Sequence, residues 1–478
     1  MNSKRLKRAN LSPGQRRVVD LALSGKNVFF TGAAGTGKSY LLRQLVCELE
    51  KQNQFHGRVF VTAPTGLAAW HLGGTTIHSF AGIKRSDPPL DDLLKEIYAS
   101  EYSLQRWQYC KCLVIDEISM IDADFLNKLD AIGRYVRDSP DLPFGGMQLV
   151  FSGDFFQLPP VENSDDDIHI LLHARAAAAA SASTSSSSSS AAAALPPSPP
   201  PPLPAARYAF ESDRWDDFFD VFVMLTTSFR HRETTFLKLL NAIRTGERCQ
   251  QTVEKLLRGT RQNFDEERTP PTRLFSTNAM VDKENEIHLK ELGDDVDIET
   301  YQAVDTSKGL VHISEKNCPV PQQLTLKVGA SVMLLRNLDQ SKGLVNGCMG
   351  TVTSFAHGSR YPNVLFAPKA GLTIMNKQQQ TVIPVTWERK SGADVFATRT
   401  ALPLRLSYAM TIHKSQGQTL PRVEVNFKSR TFASGQAYSA LSRATGFRGL
   451  VVKNLKKNDI RVSPKVVEWY TKVFGKVS

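Results

Sequence analysis

The 478 residues carry 41% hydrophobic side chains, enough for two or more compact cores with connectors between them. A formal charge of +12 points to a polyanionic partner, and no apolar run reaches the roughly 18 residues needed to span a membrane. Cys47, Cys110, Cys112, Cys249, Cys318 and Cys348 form no C-x-x-C pair and no ligand-like spacing with histidine, which argues against a metal site or a disulfide frame and for reduced intracellular thiols.

The opening MNSKRLKRAN has no apolar core and is not expected to be a secretory signal. Its KRLKR cluster reads as a nuclear address, a piece of an organellar presequence or a solvated tail. Gln15 follows in LSPGQRRVVD, and its amide offers the donor and acceptor together that the edge of adenine requires. Asn27 to Thr31 (NVFFT) reads as a strand, and Leu41, Leu42, Leu45, Val46 and Leu49 lie on one face of a helix. Between them Gly32, Ala33, Ala34, Gly35, Thr36, Gly37, Lys38 and Ser39 fit the template G-x-x-x-x-G-K-[ST]. In that template backbone N–H groups cradle phosphates, the lysine reaches the β- and γ-phosphates and the hydroxyl holds Mg²⁺.

RVFVTAPTGLAA reads as a buried strand ending in a turn that carries Thr65, placed where open α/β sheets bind ligands. GGTTIHSF offers Thr76, His78 and Phe80, a mixture that either packs or faces a nucleic acid. CLVI is a third strand, ended by Asp116 and Glu117, which suit a Mg²⁺ ligand and a base that polarises water. A helix over roughly 123–137 leads to another apolar strand with Asp154 and Gln157 just past its end. Four buried strands ending in polar residues predict a doubly wound parallel sheet around a nucleotide.

From Ala174 to Ala206 the chain is alanine, serine and proline, predicted as a disordered insertion within 166–206. A tolerated loop expansion is the leading reading, a proline-rich docking site the alternative. VFVML (Val221 to Leu225) then leads to Arg230, and TRLFST adds a strand. Between 293 and 402 short β-prone runs separated by Gly, Asn and Pro predict a small antiparallel barrel. YAMTIHKSQGQTL, the strand VEVNF, a helix holding Arg443, and the strand LVVKNL follow, with a lysine-rich tail that either attracts phosphate or is a solvated end.

GAAGTGKS, TAPTGLAA, GGTTIHSF, LVIDEISM, FGGMQLVFSGDFFQLPP, TTSFR, LKVGASVMLLRN, GLVNGCMG, TIHKSQGQTL and GQAYSALSRAT occur in the order found in the Pif-type DNA helicases. The chain resembles that family, superfamily-one enzymes related to the RecD type, over nearly its whole length apart from the insertion. The resemblance implies an α/β fold of two RecA-like domains, one over 11–82 and 106–165 and the other over 207–292 and 403–478. It makes 83–105 a wedge and 293–402 an accessory domain. It implies ATP and Mg²⁺, 5′-to-3′ translocation on single-stranded DNA, unwinding of forked duplex, and action on G-quadruplexes or DNA–RNA hybrids.

Carried over by position, Gln15 would hold adenine, Lys38 the phosphates, Ser39 and Asp116 the Mg²⁺, and Glu117 would activate water. Gln157 would sense the γ-phosphate. Arg230 and Arg443 would enter from the second domain as arginine fingers, with Gln416 nearby. Thr65, His78, His413, Lys414, Gly435 and Tyr438 match positions near the DNA path. The same motifs would serve a translocase that remodels nucleoprotein without unwinding, or a scaffold that has lost hydrolysis. The short stretch before Gln15 leads to an expectation of the nucleus over the mitochondrion, and nothing in the sequence demands more than a monomer.

Overall fold

The apolar runs of the first half assemble into one parallel sheet of six strands. They are β1 (Val28–Gly32), β2 (Val59–Ala63), β3 (Thr75–Thr76), β4 (Cys112–Ile115), β5 (Gln148–Gly153) and β6 (Val221–Leu225), in the order β3-β2-β4-β5-β1-β6. The computed structural model describes residues 11–83, 88–160, 207–247 except 232, 250–260, 271–307, 320–366 except 340, 341, 343 and 345, 378–391, 394–428 except 421, and 433–475. The basic tail at 1–10 and the Ala/Ser/Pro insertion therefore lie outside the described residues, as do parts of the wedge and accessory segments.

Strands β1, β4 and β5 are buried along their whole length, which is why they read as continuous apolar runs without alternation. Helix Pro13–Leu23 starts with a reciprocal cap, in which Ser12 Oγ accepts the Gln15 N–H and Gln15 Oε1 accepts the Ser12 N–H. Helix Lys38–Leu49 buries Leu41, Leu42, Leu45 and Leu49 against the sheet, as their spacing predicts. Helix Ala123–Val136 is capped by Asp122, whose carboxylate accepts the Phe125 N–H at 2.7 Å.

Among its described residues, the segment expected to be the wedge holds helices Leu90–Tyr98 and Glu101–Tyr109. The second helix runs four residues past the expected boundary at Gln105, because Trp107 is buried there and donates its indole N–H to Ala81 O at 3.0 Å. Arg137 ties the end of that helix down, donating to the carbonyls of Trp107, Gln108, Cys110 and Gly145.

A second parallel sheet holds β7 (Thr272–Phe275). Between it and the rest of that sheet lie antiparallel strands with a core of their own around Leu326, Val332, Val352, Val364 and Leu404. They comprise a pair of β8 (Ile298–Gln302) with β10 (Gln323–Lys327), and a three-stranded sheet of β9 (Val304–Ser307), β15 (Val385–Ser391) and β16 (Asp394–Ala401). A five-stranded sheet joins β11 (Ser331–Leu334), β12 (Met349–Phe355), β13 (Pro362–Phe366), β14 (Gln378–Thr381) and β17 (Leu404–Leu406). The chain then completes the second parallel sheet with β18 (Ala409–Thr411), β19 (Val423–Asn426) and β20 (Leu450–Lys453), in the order β18-β7-β19-β20. Among the described residues no helix is long and apolar enough to cross a membrane.

Two expected domain assignments are corrected. VFVML was assigned to the second domain, yet as β6 it pairs in parallel with β1, Val28 opposite Val221. An apolar strand pattern states that a segment is buried but not which sheet it joins. The C-terminal segment was read as a lysine-rich end of the second domain. It forms helix Pro464–Phe474, whose Trp469 ring meets Phe29, Phe155, Phe210 and Trp215 of the first domain at centroid distances of 5.1–6.2 Å. Trp469→Ala is expected to cost about 3–5 kcal/mol, seen as an earlier urea transition by circular dichroism. Lys472→Ala, on the exposed side of the same helix, should stay within about 0.5 kcal/mol of the parent. Equal transitions for both variants would take the helix off the first domain.

Candidate active site

The phosphate loop leaves the C-terminal end of β1 and needs glycine at two positions. Gly35 and Gly37 have φ of +89° and +79°, and a Cβ on Gly37 would lie 2.9 Å from Gln15 Nε2. Gln15 donates that amide to Thr36 O at 3.2 Å, so the helix before β1 is fastened to the loop. Its carbonyl has a second lone pair and its amine a second proton beyond the capping and loop bonds. Lys38 opens the helix after the loop and lays its ammonium on Gly32 O at 2.6 Å and Ala33 O at 3.4 Å. Burial pushes the Lys38 pKa down, while Asp154, Glu117 and Asp116 pull it back up.

Asp116 and Glu117 end β4 beside this loop. Asp116 Oδ2 accepts the Ser39 hydroxyl at 2.7 Å, and Oδ1 accepts the Ser152 hydroxyl and the Glu117 N–H. Ser39 and Asp116 thus form an all-oxygen donor pair of the kind Mg²⁺ takes, and the residues present fit that ion. Glu117 adopts a left-handed φ of +53°, a conformation that costs a glutamate about 1–3 kcal/mol and is typical of functional turns. Burial raises its pKa, Asp116 adds to the rise, and Lys38 and Arg443 oppose it. Gln416 donates to Glu117 Oε2 at 3.3 Å and to Ser119 Oγ at 3.4 Å.

Asp154 and Gln157 follow β5. Gln157 Oε1 accepts from Arg443 Nη2 at 3.1 Å. Arg443 is 2% exposed, and its other bonds go to the carbonyls of Ser439, Ser415 and Gln418 and to the Ser442 hydroxyl. Every hydrogen bond described for Arg443 therefore ends on a neutral acceptor. Arg230 Nη1 donates to Ser442 O at 3.0 Å, and burial, with Arg443 adding to it, lowers its pKa to about 10. Lysine, carboxylate pair, glutamine and two guanidinium groups so meet in one cleft, an arrangement able to bind a polyphosphate and activate water beside it.

The structure alters three expectations. Arg230 was expected from the second domain, but it lies five residues beyond β6 of the first sheet, and the Phe229 N–H donates to Gly35 O of the loop at 2.8 Å. Arg443 alone of the two arrives with the second sheet, following helix Gln436–Leu441. Gly435 and Tyr438 were expected near the DNA path. Gly435 instead presses on the Gln157 backbone, where a Cβ would come within 2.3 Å of the carbonyl, and Tyr438 is buried against Ala34 of the loop. A helix buried on every side has no polar face to indicate which neighbour it meets.

The remaining residues expected near DNA sit on three elements, Thr65 in the turn after β2, His78 on helix Ile77–Ala81, and His413 and Lys414 together after β18. Thr65 Oγ1 accepts the Ala68 N–H, and His78 stacks on Phe125 with centroids 4.7 Å apart. His413 and the exposed Lys414 form the turn after β18. Sequence reasoning passed over Arg244, Ser152, His231 and Tyr470. Arg244 ends an amphipathic helix, where an arginine ordinarily serves the helix dipole, so its bond to Asp154 at 2.9 Å left no distinct signal.

A phosphate loop on one parallel sheet, faced across a cleft by an arginine from a second, defines a P-loop protein with two RecA-like domains. Comparison with known proteins narrows this. The profile described as PIF1-like helicase matches residues 10–180, and that described as DNA helicase Pif1, 2B domain, matches 313–355. The ATP-dependent DNA helicase PIF1 of Xenopus laevis is 38% identical over 97% of this chain and 64% of its own length. The chain thus spans less than two thirds of that curated relative. The crystal structure of Pif1 helicase from Candida albicans is 34% identical with a TM-score of 0.80, covering 97% of this chain and 99% of that one. Pif1 from Bacteroides in complex with ADP-AlF3 and ssDNA is 28% identical with a TM-score of 0.72, over 97% and 98% of the two chains. The chain belongs to the PIF1-like helicase family.

His231 gives the site a pH dependence. It is 5% exposed, and its Nε2 meets Ala444 O at 3.0 Å. Burial, and then Arg230, push its pKa from 6.5 down to about 4. The folded state disfavours the proton, so this stabilisation is whole above pH 6.5 and lost as the pH falls toward 4. At pH 5 the loss is about 2 kcal/mol. Unfolding free energies from urea titrations should fall between pH 7.5 and pH 5 by that much more for the parent than for His231→Asn; equal falls would exclude His231.

Proposed function

We propose that this protein is an ATP-dependent DNA helicase that moves 5′ to 3′ on single-stranded DNA and opens forked duplex. The observation that carries the reading is Arg443, a buried guanidinium whose hydrogen bonds among the described residues all end on neutral acceptors and which is aimed from the second sheet at Gln157 beside the phosphate loop. A cation so placed meets its counter-charge when a triphosphate enters, and hydrolysis then alters the attraction between the two domains. A Bacteroides relative crystallised with ADP-AlF3 and ssDNA supports a nucleotide cleft coupled to a DNA track.

The residues divide the work by their chemistry. Lys38 moves from the loop carbonyls to the β- and γ-phosphates, a short swing for a flexible ammonium. Ser39 and Asp116 would hold Mg²⁺, which supplies positive charge against the phosphate oxygens. Glu117, its pKa raised by burial, takes the proton of the attacking water while Gln416 fixes its carboxylate. Gln157 stands between the γ-phosphate and Arg443, and Arg230 adds charge from the first domain. Gln15 holds the adenine edge.

Thr65, His78, His413 and Lys414 are proposed to line the DNA path by contacts to its backbone, so binding is independent of base sequence. Helices Leu90–Tyr98 and Glu101–Tyr109 would serve as the wedge. G-quadruplexes and DNA–RNA hybrids are further proposed substrates.

Strand displacement with ATP and Mg²⁺ on duplexes bearing a 5′ or a 3′ single-stranded tail tests the reading. Unwinding from the 5′ tail alone is expected, and unwinding from the 3′ tail would refute the polarity. Lys38→Ala should abolish turnover and unwinding while single-strand affinity stays within a few-fold. Arg443→Ala should slow hydrolysis by about 10³ with nucleotide binding largely kept. Near-normal turnover in either variant would remove that residue from the site.

A further inference from the structure

Tyr438 is the residue of the cleft whose placement none of the foregoing roles explains. It lies on helix Gln436–Leu441, between β19 and β20 of the second sheet, and is 2% exposed. Its hydroxyl accepts the Ala34 N–H of the phosphate loop at 2.7 Å and donates to Asp154 Oδ2 at 3.2 Å. Burial, and then Asp154, keep the phenol protonated, so it retains the proton it donates. Asp154 is itself ion-paired at 2.9 Å with Arg244, whose guanidinium lies over the Phe156 and Tyr470 rings. One hydroxyl of the second sheet thus bridges the loop that takes the phosphate and a fixed carboxylate of the first.

The same segment meets the first domain at further points, among them the Ser442 carbonyl, which accepts from Arg230, and the Ala444 carbonyl, which meets His231 Nε2. Gly435, one residue before the helix, abuts the Gln157 carbonyl, and Arg443, just beyond the helix, reaches the Gln157 side chain. Gly435 sets where the segment touches, but contact with a backbone carbonyl fixes no rotation about the helix axis. Arg230 and His231 hold carbonyls beyond the helix, and Tyr438 adds a constraint from within it, since its hydroxyl satisfies both partners at one setting of the helix. The Arg443 guanidinium follows on the same short stretch, so the angle Tyr438 fixes is the angle at which Arg443 meets the nucleotide.

We infer that Tyr438 is a positioning residue for phosphoryl transfer, acting through Arg443 by locking helix Gln436–Leu441 to the Ala34 amide and the Asp154 carboxylate. This rests on the nucleotide-hydrolysing reading above. It separates the ground state from the transition state. Nucleotide affinity rests on Lys38, Gln15 and several loop N–H groups, of which the Tyr438 hydroxyl touches one, whereas stabilisation of the transferring phosphoryl group depends on Arg443 being in register.

The test is Tyr438→Phe in the full chain, which keeps the buried ring and removes one oxygen. Steady-state hydrolysis with single-stranded DNA should show kcat down about tenfold or more with KM for ATP changed less than about threefold. Affinity for ADP should hold within the same threefold, while affinity for ADP with aluminium fluoride, which mimics the transferring phosphoryl group, falls at least tenfold. A loosened fold would weaken both ligands together, and that result, or unchanged kcat, overturns the inference. A parent protein that neither binds ADP nor hydrolyses ATP would instead overturn the function on which the inference rests.

Discussion

A carboxylate with no exposed surface, Asp154 at the end of β5, is the constraint on which the cleft depends. An ionised group without water must be surrounded by donors, and removing one partner of a buried ion pair typically costs about 3–5 kcal/mol. Burial alone would raise the Asp154 pKa, but the Arg244 and Lys38 charges overcome it and hold the group ionised. Its donors come from distant parts of the chain: Arg244 from helix Thr234–Arg244, Tyr438 from the second sheet and Tyr470 from the last helix. Tyr470 also shares a hydroxyl bond of 2.5 Å with Thr31 of β1. Solvating one charge therefore obliges four segments to meet behind the phosphate loop.

The charge balance around that point is uneven. Arg244 is neutralised by Asp154, while Arg443 and Arg230 lean on carbonyls, a hydroxyl and an amide. Burial, and then the proximity of Arg443, lower the Arg230 pKa, with Glu117 opposing them only in part. Opposite them Asp116 and Glu117 repel one another, which adds to the raised Glu117 pKa. A polyphosphate with its cation would relieve both imbalances, because the phosphates face the arginines and the cation faces the carboxylates.

The parts legible in the sequence were those whose meaning is local. GAAGTGKS, the Asp116–Glu117 pair and Gln157 each follow a short apolar strand directly, so order along the chain conveyed the geometry. Assignments that depend on distant pairing were not legible. VFVML reads identically whether it joins β1 or β7, and only the register with Val28 settles it. In the last helix the spacing was present, with Val466, Trp469, Tyr470 and Val473 at i, i+3, i+4 and i+7, but the surrounding lysines obscured it. Tyr438 had no such signal, since all six residues of its helix are buried.

The return of helix Pro464–Phe474 to the first sheet has a mechanical consequence. The second parallel sheet and its antiparallel insert are spliced into the first domain, reached by the chain after β6 and left before Trp469. A body held by one connector can swivel about it freely. One held at both ends is suspended between two anchors, and the line through them is the natural axis of any rocking motion. Both anchors touch the first domain's aromatic cluster, Phe222 of β6 and Trp469 of the last helix each packing against Phe29. Any movement of the second domain against the first is then confined to an arc about that line.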